Sequence, residues 1–152
     1  KIFSKITRKN IVIQKVQNSE PGLYFYLVFP ITFAFLLTFI GTRIINTVVP
    51  DAYLAIPVVG YVHHFVYGIF ILVISCYLSL TFGGPRAKYL ISLLYGFGLG
   101  LVFDEYWFWI KLNEQDRWSY DGLLIIMGFF FFVISAKPGI KMLKKLWPFG
   151  AK

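Results

Sequence analysis

Residues 63–85 read HHFVYGIFILVISCYLSLTFGGP: two histidines, an apolar run with no charged side chain, and a Gly-Gly-Pro stop. Such a run is long enough to cross a bilayer as a helix, and Gly83-Gly84-Pro85 ends it, since proline cannot continue a helix and glycine favours its termination. With the apolar residues that precede the histidines, the predicted span is 58–82. Three similar blocks flank it, at 23–45, 89–112 and 120–136. Pro30 interrupts the first, which a membrane helix tolerates when neighbouring groups satisfy the freed carbonyl. The last is short: at 1.5 Å per residue it barely crosses a hydrocarbon core of roughly 30 Å.

Composition agrees. Of 152 residues, 58% are hydrophobic and 14% charged, against about 25% charged in a soluble domain. There are too few charges to coat a water-exposed surface. The length suits one domain. The opening residue is Lys1, which fits a trimmed start or a fragment, and the basic opening followed by a long apolar block predicts no secretory signal. Cys76 is the only cysteine, so a disulfide-exchange mechanism, which needs paired thiols, is excluded.

Charge sets the orientation. Lys1, Lys5, Arg8, Lys9 and Lys15 precede the first span, Arg86 and Lys88 join the second to the third, and Lys137, Lys141, Lys144, Lys145 and Lys152 follow the fourth. Of the 15 basic residues, only Arg43, Lys111 and Arg117 fall on the other side. Basic loops stay in the cytoplasm, so both termini are predicted cytoplasmic and the chain is placed in the cell membrane. Residues 1–22 and 137–152 interleave lysines with apolar side chains. That suits segments lying on the cytoplasmic leaflet, or flanks that only fix topology. The net charge of +8 is accounted for by topology, and no nucleic-acid partner is expected.

The acids and histidines are distributed unevenly. Asp51, Asp104, Glu105, Glu114, Asp116 and Asp121, with His63 and His64, fall toward the outer half; only Glu20 is cytoplasmic. An ionisable group inside a membrane helix is costly and needs a reason. Gly96, Gly100 and Asp104 recur at intervals of four, on one stripe of a helix. Small residues so spaced admit a neighbouring helix, so Asp104 is expected to point into the bundle. His64 and Gly68 share the same spacing. The predicted core is therefore His64 with Asp104, supported by His63, Glu105 and Asp121. Adjacent residues diverge by about 100° around a helix, so His63 and Glu105 need other neighbours, such as Arg43 or the aromatic rim. Tyr106, Trp107, Trp109, Trp118 and Tyr120 suit an interfacial belt, or a surface on which a substrate stacks.

Four chemistries fit these residues. Imidazole and carboxylate are ligands for a divalent metal such as zinc, with His63, His64, Asp104, Glu105 and Asp121 as the donor set; no His-Glu-x-x-His or Cys-His signature accompanies them. Asp104 with Asp121 or His64 could act as general acid and base. The same groups could couple to protons. The plainest alternative is a polar knot that pins helix register.

Two resemblances bear on the choice. Asp104 and Asp121, on the last two spans near the outer surface, resemble the aspartate placement of lipoprotein signal peptidases, whose flanking Asn-Gly and Asp-Arg motifs are missing here; this implies an intramembrane hydrolase of aspartyl type as one alternative. The set His63-His64-Phe65-Val66-Tyr67-Gly68, Asp104-Glu105-Tyr106, Trp118-Ser119 and Asp121 resembles a group of uncharacterised prokaryotic four-span integral membrane proteins. That likeness covers the last two-thirds of the chain and implies recurrence of these residues as a set, with no activity attached.

The expected fold is all-α, a four-helix transmembrane bundle in up-down order. Its expected partners are the lipid bilayer and a second copy or a membrane complex, joined through the glycine stripe. The leading function is a His/carboxylate site near the outer surface that binds metal or handles protons; a non-catalytic scaffold or accessory subunit is the competing class.

Overall fold

A computed structural model of the chain describes residues 25–48, 54–56, 60–106 and 114–147. Its four helices are α1 (Phe25–Val48), α2 (His64–Thr81), α3 (Pro85–Glu105) and α4 (Glu114–Leu146). All four contain stretches long and apolar enough to cross a membrane, the composition of a polytopic membrane protein. The expected segment 1–22, Asp51, Trp107, Trp109, Lys111 and residues 148–152 lie outside the described residues.

The helices close their own polar groups, as a hydrocarbon surrounding demands. On α1 the hydroxyls of Thr32, Thr38 and Thr47 donate to the carbonyls of Val28, Ala34 and Arg43 at 2.8 Å. Ser75 on α2 does the same to Ile71 at 2.7 Å. Pro30 is accommodated inside α1, and Pro85 opens α3 in its first turn, where a missing N–H costs nothing. Outward faces are apolar: Phe70, Val73, Tyr77 and Leu80 of α2 are exposed, and only Gly68 and Ser75 of that helix are buried. In water such a face would be a liability; against lipid tails it is ordinary.

Glycines decide which helices touch. Along α3, a Cβ added at Gly96 would run into the backbone of Ile31, and one at Gly100 would lie 2.6 Å from Thr38, both on α1. A Cβ at Gly98 would instead meet Ile71, Leu72 and the Gly68 carbonyl of α2, at 3.0–3.1 Å. So α3 lies between α1 and α2, with small residues on both flanks. On its other side α1 carries α4, where Gly128 faces Leu36 and Phe35, and Gly139 faces the Phe29 ring.

Element bounds differ from the sequence expectation on every helix, the first running on to Val48. The second helix begins at His64, because Gly60–Val62 pairs antiparallel with Leu54–Ile56 (strands β2 and β1) as a short hairpin before the helix. Apolarity alone could not separate those strand residues from the helix behind them. The third helix begins at Pro85 and ends at Glu105, so Asp104 and Glu105 occupy its last turn. The fourth is one helix to Leu146, about 50 Å long by helical rise, and Pro138 lies inside it. Beside that proline, Gly139 lets the Phe29 side chain seat directly on its backbone. The apolar core gathers at this end, around Tyr26, Phe29, Tyr89 and Leu146.

Candidate functional site

At the opposite end, the last turns of α1 and α3 meet the first turns of α2 and α4, and the ionisable residues collect there in two groups.

The first group centres on Arg43. Its Nε lies 3.2 Å from Oδ1 of Asp104 and its guanidinium donates to Oδ1 of Asp121 at 2.9 Å. The same guanidinium donates to the Asp104 carbonyl at 2.9 Å, occupying one of the carbonyls left open at the end of α3. The Phe39 ring lies below it, 5.4 Å from centroid to guanidinium carbon, within cation–π range. Asp104 is 1% exposed. Its contact with Arg43 is an ion pair rather than an aligned hydrogen bond, so charge is what compensates its burial.

The second group centres on Glu105. Its Oε1 lies 3.3 Å from Nδ1 of His63 and 3.6 Å from Nδ1 of His64, and its Oε2 accepts the Phe65 N–H at 3.2 Å. Helix α2 has no capping side chain of its own, with His63 at the N-cap in extended conformation. Glu105 supplies from another helix the negative oxygen that the free N–H groups of a helix start favour. Glu105 is buried, while the His63 side chain is 45% exposed, so this group reaches from the protein interior to its surface.

The geometry adds partners to the expected pair: Asp104, within electrostatic reach of His64, contacts Arg43 at 3.2 Å, and Glu105 lies 3.6 Å from His64. The reason is the position of α3 between two helices. Asp104 continues the Gly96–Gly100 stripe onto α1; Glu105, seven residues beyond Gly98, continues the other stripe onto α2. The 100° divergence of neighbours predicts other neighbours for His63 and Glu105, such as Arg43 or the aromatic rim; in the structure Glu105 meets both histidines. His63 is not on a helix, so helical phase does not govern where it points. Asp121 meets the same Arg43 guanidinium as Asp104. Arg43 is the residue whose central part the sequence reading missed, although a lone arginine ending an otherwise uncharged span was a signal for it.

Of the aromatic rim, Tyr106 and Tyr120 stack with centroids 6.3 Å apart, and Trp118 is exposed. Among the described residues no set of three or more His, Cys, Asp and Glu side chains is arranged to hold a metal ion. Arg43 stands in contact with both aspartates, a cation where an aspartyl dyad needs a shared proton. Comparison of the chain with protein-family models, curated proteins and solved structures finds no match.

Proposed function

We propose that this is a multi-pass cell-membrane protein in up-down order with cytoplasmic termini, and that His63, His64 and Glu105 form a proton-responsive site at its outer surface. The charge asymmetry of the loops supports the orientation. One observation carries the site: a buried carboxylate that two imidazoles approach at 3.3 and 3.6 Å, one of them half in solvent. Imidazole is the side chain whose ordinary titration falls in the physiological range. When either ring gains a proton, its contact with Glu105 becomes an ion pair with a capped helix terminus behind it. With a neutral ring the same contact is only that of a dipole with the carboxylate. The charged and titratable groups facing Glu105 are His63 and His64 from the α2 side, Asp104 beside it on α3, and Arg43 from α1 through the Asp104 carbonyl. In this reading the Arg43 group is a fixed brace, and the glutamate group is the part that answers to pH.

Histidine side-chain NMR of the detergent-solubilised protein across about pH 5 to 8 tests this. Both imidazoles should respond to pH together, and Glu105→Gln should uncouple them while the fold, read by helical circular dichroism, is retained. Imidazole resonances that respond identically with and without the Glu105 carboxylate would exclude the site. Two imidazoles and a carboxylate are also a zinc donor set. Stoichiometric zinc in the purified protein, lost in both His64→Ala and Glu105→Gln, would put a metal ion in place of the proton.

A further inference from the structure

A second concentration of charge lies at the end away from Arg43 and Glu105, on the last turns of α4. Lys137, Lys141, Lys144 and Lys145 are all exposed and recur at helical spacing on one face. On the opposite face Ser135, Gly139 and Leu146 are buried, with Gly139 against the Phe29 ring. Followed back along α4, the lysine face becomes Ile134, Val133 and Phe130, which are exposed as well. Because α4 runs on as a helix through Pro138, one outward strip changes from apolar to cationic between Ile134 and Lys137. That change matches the passage from acyl chains to headgroups at the edge of a leaflet.

Among the described residues, the protein supplies this strip with no counter-charge. Every described acid falls at the other end, in the last turn of α3 or the first turns of α4. Asp121, the nearest acid along α4, stands about 24 Å back by helical rise, well beyond a screening length of about 8 Å. Lysines at 137 and 141, and at 141 and 145, are like charges four residues apart, which destabilise a helix. The helix dipole offsets this at Lys144 and Lys145, in the last turn, but its effect does not reach back to Lys137 and Lys141. Directing insertion needs positive charge in the segment; it does not need that charge gathered on the lipid-facing strip.

We propose that Lys137, Lys141, Lys144 and Lys145 bind the headgroups of anionic phospholipids whose acyl chains lie on Phe130, Val133 and Ile134. An ammonium is a compact charge with several N–H donors and no acceptor, which suits phosphate oxygens. A zwitterionic headgroup brings an ammonium of its own and leaves the repulsion among the lysines in place; a net negative one relieves it. The aromatic pair at this end, Tyr89 and Trp147 with ring centroids 5.8 Å apart, is of the kind that sits at headgroup level.

Native mass spectrometry of the full chain in mild detergent tests the proposal, with phosphatidylglycerol and phosphatidylcholine of identical acyl chains as probes. A micelle has no sides, so a role confined to directing insertion leaves no trace in this measurement. Phosphatidylglycerol should bind about fivefold more tightly, the attraction of one lysine to an anionic lipid surface. Replacing all four lysines with glutamine should remove that preference with phosphatidylcholine binding and helical circular dichroism unchanged, and replacing them with arginine should keep it. Lys137→Gln together with Lys141→Gln should weaken the preference without touching the last turn. Equal affinity for the two lipids in the wild type, or a preference unchanged in the folded glutamine variants, would overturn the proposal. Loss of the preference in the arginine variant would overturn it too, since charge would then not be its cause.

Discussion

The two ends of the bundle solve one problem with different materials. At each, an arginine from one helix occupies a terminal carbonyl of another: Arg43 donates to Asp104 at the end of α3, and Arg86 donates to Leu146 at the end of α4. Around Arg86 the neighbours are aromatic and aliphatic. Tyr89 meets Trp147 edge-on at 5.8 Å, and Phe29 stacks on Phe132 at 5.2 Å nearby. Around Arg43 the neighbours are Asp104 and Asp121, with Glu105 and the histidines one residue further on. The aromatic end is held by area and shape, which degrade gradually when one group is trimmed. The ionic end is held by paired charges, where removing one partner leaves the other buried and uncompensated. A region built the first way suits structure alone; the second is where a membrane protein keeps groups that change state.

The comparison breaks most visibly at Arg43. Arg43→Ala leaves two aspartates facing a vacated site and should lower unfolding stability by about 3–5 kcal/mol, read as a fall in thermal midpoint in detergent. An intact midpoint would mean that the ionic end is not paired as described. Next in size is Gly96→Ala, whose new methyl group meets the Ile31 backbone; backbone cannot swing aside, and a loss of about 1–3 kcal/mol is expected. At the aromatic end, Phe132→Leu keeps an apolar group in place and should cost less than about 1.5 kcal/mol. A larger loss there than at Arg43 would reverse the contrast between the ends. Smallest is Gly41→Ala, which faces open space and should be neutral or stabilising by up to about 1 kcal/mol through helix propensity alone.

Much of the fold was legible because a bilayer enforces it: four apolar blocks in a chain with few charges admit few other readings. Their limits were less so. Residues 60–62 are as apolar as the helix they precede, so nothing local marks Gly60–Val62 as strand. The fourth span was expected to end at 136, yet its helix runs through Pro138 to Leu146. For the site, the Gly96–Gly100–Asp104 stripe correctly predicted that Asp104 turns inward. It could not tell which helix lay opposite, since spacing gives a face and not a neighbour. Gly98 held the missing clue: glycines at both 96 and 98 mean close approach on two sides of α3, and Glu105 follows Gly98 in phase. Arg43 was harder to weigh, because a basic residue at a span end is usually an interfacial anchor.

The central claim is that adjacent residues of α3 serve two different clusters, and double-mutant cycles in unfolding stability test it most directly. Arg43→Ala with Asp104→Asn should show the strongest coupling and His64→Ala with Glu105→Gln a smaller one, within the range of about 0.5–3 kcal/mol for contacting pairs. His64→Ala with Asp104→Asn should show the weakest of the three. A His64–Asp104 coupling larger than that of Arg43 with Asp104 would contradict this division.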